Sequence, residues 1–170
     1  MIYFYYKGFK IKMKMIVACE KIAIFDKVGE IFLGDIVAAE NRYLLMGNGI
    51  KIVVSLVKEK YKRFDDFTYF DFPIDDSREE DILSIFEKTN KILESHENVF
   101  VHCQNAVSRS VSVVLAYLMY RGNDLKTSLN MIKNRKTYTK PNIGFCKQLL
   151  TYERKIFGKN SITLQEMREK

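Results

Sequence analysis

The 170 residues include only three cysteines (Cys19, Cys103 and Cys146) and two histidines (His96 and His102). A sparse, odd set of cysteines makes no disulfide framework. No pair has C-x2-C spacing and two histidines supply few ligands, so no metal and no cofactor is expected. No stretch approaches the ~20 uncharged apolar residues of a membrane span. The apolar start MIYFYYKGFKIKMKMIVA is interrupted by Lys7, Lys10, Lys12 and Lys14. Its charges follow the apolar residues, the reverse of a secretory signal. A cytoplasmic address is therefore expected, with nuclear entry left open. There is no Pro/Gly/Ser-rich linker and no internal repeat, which predicts a single domain.

What is present suits a folded, soluble chain: 47% hydrophobic, 13% aromatic and 29% charged residues. The net charge is +7 and the pI near 9.2. Residues 1–28 hold six lysines against Glu20 and Asp26, so +4 of the +7 sits there. Such a charge favours anionic partners, although a lysine-rich solvated surface gives the same number.

Strands are predicted at Ile22–Phe25, Glu30–Leu33, Lys51–Val57, Phe67–Ile74 and Asn98–His102. Helices are predicted over residues 35–46 and from a Ser77/Glu80 capping box onward, with Ile82, Ile85, Phe86, Ile92 and Leu93 on one face. Further helices are expected at Arg109–Arg121, Asp124–Arg135 and Asn142–Phe157. Strands alternating with helices imply an α/β fold, with a central, mostly parallel sheet flanked by helices. The chain is expected to divide into a basic N-terminal extension (1–26), a folded domain (27–158) and a polar, frayed C-terminal tail (159–170).

The chemistry concentrates at Cys103-Gln104-Asn105-Ala106-Val107-Ser108-Arg109-Ser110, a C-x5-R pattern that follows an apolar strand and opens a helix. Ligands bind at the carboxyl ends of strands in such sheets. A loop there turns its N–H groups inward as an anion nest, and the following helix adds the positive end of its dipole. A thiol in that field favours its thiolate and becomes a nucleophile for phosphorus. Arg109 can clamp two phosphate oxygens with its planar fork. Ser110 can donate to the sulfur, and His102 can fix the loop through its ring N–H groups. The leaving oxygen needs a proton, and Asp75 and Asp76 stand at a strand end ahead of a helix. One can serve as general acid while the other caps the helix.

The sequence resembles the small, atypical dual-specificity protein phosphatases, members of the cysteine-dependent protein tyrosine phosphatase superfamily, over roughly Lys27 to Gly158. The family's L-Y-L-G strand matches Ile31-Phe32-Leu33-Gly34. Its acid segment matches Phe72 to Asp76, and its signature H-C-x-x-G-x-S-R-S matches His102 to Ser110. The A-Y-L-M helix matches Ala116 to Met119, and P-N-x-x-F followed by Q-L-L matches Pro141 to Phe145 and Gln148 to Leu150. The resemblance implies a protein tyrosine phosphatase-like fold and hydrolysis of phosphotyrosine, phosphoserine and phosphothreonine through a phosphocysteine at Cys103. It implies Asp76 as general acid and Asn142 as a brace for the phosphate loop, with phosphorylated proteins as substrates. Ala106 stands where the family has glycine, and a positive φ there would strain the loop.

Related enzymes act on RNA 5′ ends or phosphoinositides. Lipid-directed members carry lysines in the loop, whereas residues 104–108 here are uncharged. RNA-directed members end their loop in H-G-x-N-R instead of S-R-S, so nucleic acid is not the expected partner. A weakly active phosphate-reading adaptor is the alternative that Ala106 motivates. Lys10, Lys12 and Lys14 beside Met15, Ile16 and Val17 loosely resemble a kinase-docking peptide; the plainer reading is a disordered or dimer-forming arm, or an upstream start ahead of Met13 or Met15. Only four residues separate Met46 from Lys51. Short connections of this kind predict a shallow pocket mouth that lacks an aromatic wall, open to phosphothreonine as well as phosphotyrosine.

Overall fold

In the computed structural model, the described residues are 2–6, 9–13, 19–23, 30–135 and 138–168. Two strands, β1 (Ile2–Tyr6) and β2 (Phe9–Met13), pair antiparallel as a separate two-stranded sheet. The main sheet contains β3 (Cys19–Ala23), β4 (Glu30–Gly34), β5 (Ile52–Ser55), β6 (Thr68–Asp71) and β7 (Val99–His102), in the order β3-β4-β7-β5-β6. The four from β4 to β6 are parallel, and β3 joins one edge antiparallel. That edge strand lies within the segment expected to be an extension. Ile24 and Phe25 of the expected first strand fall outside the described residues, as do Lys14 to Val17 of the docking-like motif.

Alternation along the strands builds two cores, because successive side chains face opposite sides of a sheet. Ile31, Leu33, Ile52, Val54, Val99 and Val101 pack beneath α3 (Phe86–Ser95), α4 (Arg109–Tyr120), α5 (Leu125–Lys133) and α6 (Ile143–Phe157). Phe32, Val53 and Phe100 face α1 (Ile36–Ala39) and α2 (Arg42–Gly47), with Ala38, Ala39 and Leu45. Central β7 is hydrogen-bonded on both sides and buried along its length. Its hydrophobic run reflects that burial.

Three expectations need correction. The helix over 35–46 is two short helices. Asp35 accepts the Ala38 N–H at 2.9 Å and Asn41 accepts the Leu44 N–H at 3.0 Å, so a second cap interrupts the run. The Ser77/Glu80 capping box does not form. Glu80 instead accepts the Asp75 N–H at 3.2 Å, and Gln148 of α6 ties down both the Leu83 N–H and the Glu80 carbonyl, each at 2.8 Å. A 3-10 turn at Leu83–Ile85 then leads into α3. The C-terminal segment is not frayed through 168. It forms α7 (Leu164–Arg168), buries Ile162 and Met167, and is pinned by Glu153, which accepts the Ser161 N–H at 3.1 Å.

Candidate active site

Cys103 follows β7 directly, at the carboxyl end of the central strand, and is 1% exposed. Its Sγ lies 3.1 Å from Ser110 Oγ in the first turn of α4. Ser108 occupies the N-cap position of α4 but makes no side-chain cap. Its Oγ instead donates to Asp76 Oδ1 at 2.6 Å and accepts the Asn142 N–H at 3.0 Å. The amides opening α4 are thus left without a side-chain acceptor, which suits an anion at the positive end of the helix dipole.

Arg109 is 8% exposed, and its Nη1 donates to the Ile74 carbonyl at 2.9 Å and to the Leu56 carbonyl at 3.3 Å. These bonds fasten the guanidinium between the end of β5 and the acid segment. Its Nε–H is buried and has no partner among the described residues. An unmatched buried donor is costly unless a ligand completes it. A tetrahedral oxyanion over Cys103 would do so.

Asp76 Oδ1 also accepts Asn142 Nδ2 at 2.8 Å. Two donors thus hold Asp76 Oδ1 and fix its carboxyl group against the loop and the start of α6. Asn142 caps α6 by accepting the Phe145 N–H at 3.0 Å, so one residue joins that helix and Asp76 through its side chain and the loop through its backbone N–H. Asp75 sits apart, exposed and ion-paired with Lys58. The N–H of Lys140 donates to the Val107 carbonyl at 3.0 Å, and that of Ile36 to the Gln104 carbonyl at 3.3 Å. Cys103, Asn105, Val107, Ser108, Asp76, Asn142, Tyr138 and Lys140 line one cavity of about 460 Å³.

His102 shares the strand parity of Phe100, and its ring stacks on Phe100 at 5.6 Å, away from Cys103. Burial pushes the imidazole down to about 4. Its Nε2 lies 3.0 Å from the Tyr61 hydroxyl. The expected fixing of the loop through the ring N–H groups is not seen: one nitrogen serves Tyr61, and Nδ1 is buried with no hydrogen-bond partner among the described residues. Arg63 stacks on the Tyr61 ring at 4.9 Å and forks onto Asp71. Ala106 is buried and has φ +53°, the left-handed region.

Sequence reasoning missed Tyr61, Tyr138 and Lys140. Lys140 adjoins the Pro141-Asn142 motif, which was a usable signal. Tyr61 had none, because its partner is 41 positions away.

The family model described as "Dual specificity phosphatase, catalytic domain" matches residues 31–155. The chain belongs to the dual-specificity phosphatase family. It is accordingly a protein phosphatase domain acting on phosphorylated proteins, and the phosphocysteine route is general to that family. It is 34% identical over 140 residues to human dual specificity protein phosphatase 14, covering 79% of this chain and 71% of the relative. It is 35% identical over 151 residues to protein-tyrosine-phosphatase MKP1 of Arabidopsis thaliana, covering 81% of this chain but 19% of that protein. The crystal structure of human DUSP28 aligns with a TM-score of 0.69 at 28% identity, over 75% of this chain and 94% of the other. No described helix is long and apolar enough to cross a membrane.

Proposed function

We propose that the chain hydrolyses phosphotyrosine and phosphoserine/phosphothreonine in proteins, with Cys103 as nucleophile, Arg109 as phosphate clamp, Asp76 as general acid and Ser110 as leaving-group donor. The observation that carries this reading is the buried Arg109 Nε–H, which has no partner among the described residues, at the uncapped start of the helix that follows Cys103. Sγ attacks phosphorus, the ester P–O bond breaks, and the Asp76 proton passes to the departing oxygen. The Asp76 carboxylate then takes a proton from water as that water attacks phosphorus. The P–S bond breaks and Ser110 Oγ–H stabilises the departing thiolate.

The amides of residues 104–108 cradle the equatorial oxygens, and Asn142 holds acid and loop together. Uncharged side chains across residues 104–108 speak against a multiply phosphorylated lipid headgroup. A nucleophilic thiol works only when reduced, which supports a cytoplasmic address. The unpaired outer edges of the β1–β2 ladder, as described, support self-association through the N-terminal segment.

The test is turnover of an aryl phosphate by the unmodified chain beside Cys103→Ser and Arg109→Lys. Cys103→Ser should abolish turnover while retaining ligand binding, and Arg109→Lys should lose most of both. Residual Cys103→Ser activity above a few per cent would remove the mechanism.

A further inference from the structure

Tyr138 is 65% exposed and lines the same cavity as Cys103. It is the one aromatic residue among the described residues lining that cavity. Its neighbours are fastened to the phosphate loop, Lys140 through Val107 and Asn142 through Ser108. The backbone following Tyr138 is therefore tied to the loop, and the exposed ring stands at the cavity as an aromatic wall, which the short connections of the chain did not foretell.

We infer that Tyr138 is a specificity-determining residue that biases the enzyme toward aryl phosphate esters, phosphotyrosine above phosphoserine and phosphothreonine. The inference rests on the phosphatase reading above. With phosphorus over Cys103, the ester's organic part must occupy the cavity mouth. For phosphotyrosine that part is a flat phenol ring, within reach of the Tyr138 face. For phosphothreonine it is a short alkyl stem that ends before such a contact. Ring–ring contact of this kind is worth about 3- to 10-fold in affinity. The contact exists before and during the chemical step, so its loss should raise KM and leave kcat unchanged.

The experiment measures kcat and KM on matched phosphotyrosine and phosphothreonine peptides for the unmodified chain, Tyr138→Ala and Tyr138→Phe. Tyr138→Ala should raise KM for the phosphotyrosine peptide about 3- to 10-fold and leave the phosphothreonine peptide within about 2-fold. Tyr138→Phe, which keeps the ring, should match the unmodified chain. In a Cys103→Ser background, Tyr138→Ala should weaken phosphotyrosine-peptide binding by the same factor. Equal losses on both peptides, no change on either, or a Tyr138→Phe defect as large as that of Tyr138→Ala would overturn the inference. Absence of turnover of both peptides by the unmodified chain would instead overturn the phosphatase reading beneath it.

Discussion

Replacing Ala106 by glycine should stabilise the protein without much change in catalysis. Ala106 has φ +53°, where an L side chain crowds its own backbone by about 1–2 kcal/mol. Glycine removes that strain but adds about 0.4–1 kcal/mol of unfolded-state entropy. The balance is a gain of about 0–1.5 kcal/mol, centred near 0.8. For a chain of this size that shifts Tm upward by about 2–3 °C. The methyl is buried and Ala106 is not among the residues lining the catalytic cavity, so kcat/KM on an aryl phosphate should move less than about 3-fold. Thermal unfolding followed by circular dichroism, beside steady-state kinetics, reads both quantities. Ala106→Val is the opposing control, because a branched side chain suits positive φ far worse. A lower Tm for Ala106→Gly, or a tenfold rise in activity at constant Tm, would refute the strain argument. The second result would mean that the methyl obstructs the phosphate.

Gly144→Ala should destabilise the fold and impair turnover together, since an added Cβ would lie 2.0 Å from the Arg78 carbonyl oxygen beside the acid segment; urea unfolding and kinetics on one preparation check it. Asp76→Asn should depress turnover of alkyl phosphates far more than of activated aryl phosphates, while Asp75→Asn, exposed and paired with Lys58, should change little. Tyr61→Phe should cost about 1–3 kcal/mol in urea unfolding, because it leaves buried His102 Nε2 without its partner. His102 is held down to about 4 when folded, so the unfolded chain takes up its proton first as pH falls from 6.5. Its contribution is complete above 6.5 and is lost downward toward 4, making the protein about 2 kcal/mol less stable at pH 5 than at pH 7; His102→Gln should flatten that slope.

The parallel sheet was legible because Lys51–Val57 and Asn98–His102 are apolar on both faces, as central strands between helices must be. The capping box was misread because the motif is local and its competitor is distant. The Glu80 carboxylate pairs with Lys58, 22 positions away, and accepts the Asp75 N–H, while Gln148, 65 to 68 positions away, claims the Leu83 N–H and the Glu80 carbonyl. The same limit hid Tyr61 and Tyr138, whose places follow from packing and not from any pattern within reach of their neighbours. The grouping of Asp76, Ser108 and Asn142 was legible only in part. Asp76 and Asn142 each stand in a motif, whereas the hydroxyl that joins them belongs to a loop residue assigned only to phosphate binding.

That hydroxyl explains why the site holds together. A serine at the N-cap position ordinarily turns its oxygen onto the helix amides and satisfies them. Ser108 turns its oxygen outward to Asp76 and the Asn142 amide instead. The amides of α4 therefore stay available to an anion, while Asp76, the proposed general acid, is held against the proposed phosphate loop. Both effects follow from one side-chain orientation. A substrate phosphate that takes up the α4 amides and the Arg109 Nε–H consequently arrives within reach of an acid already in position, with little left to reorganise during the chemical step.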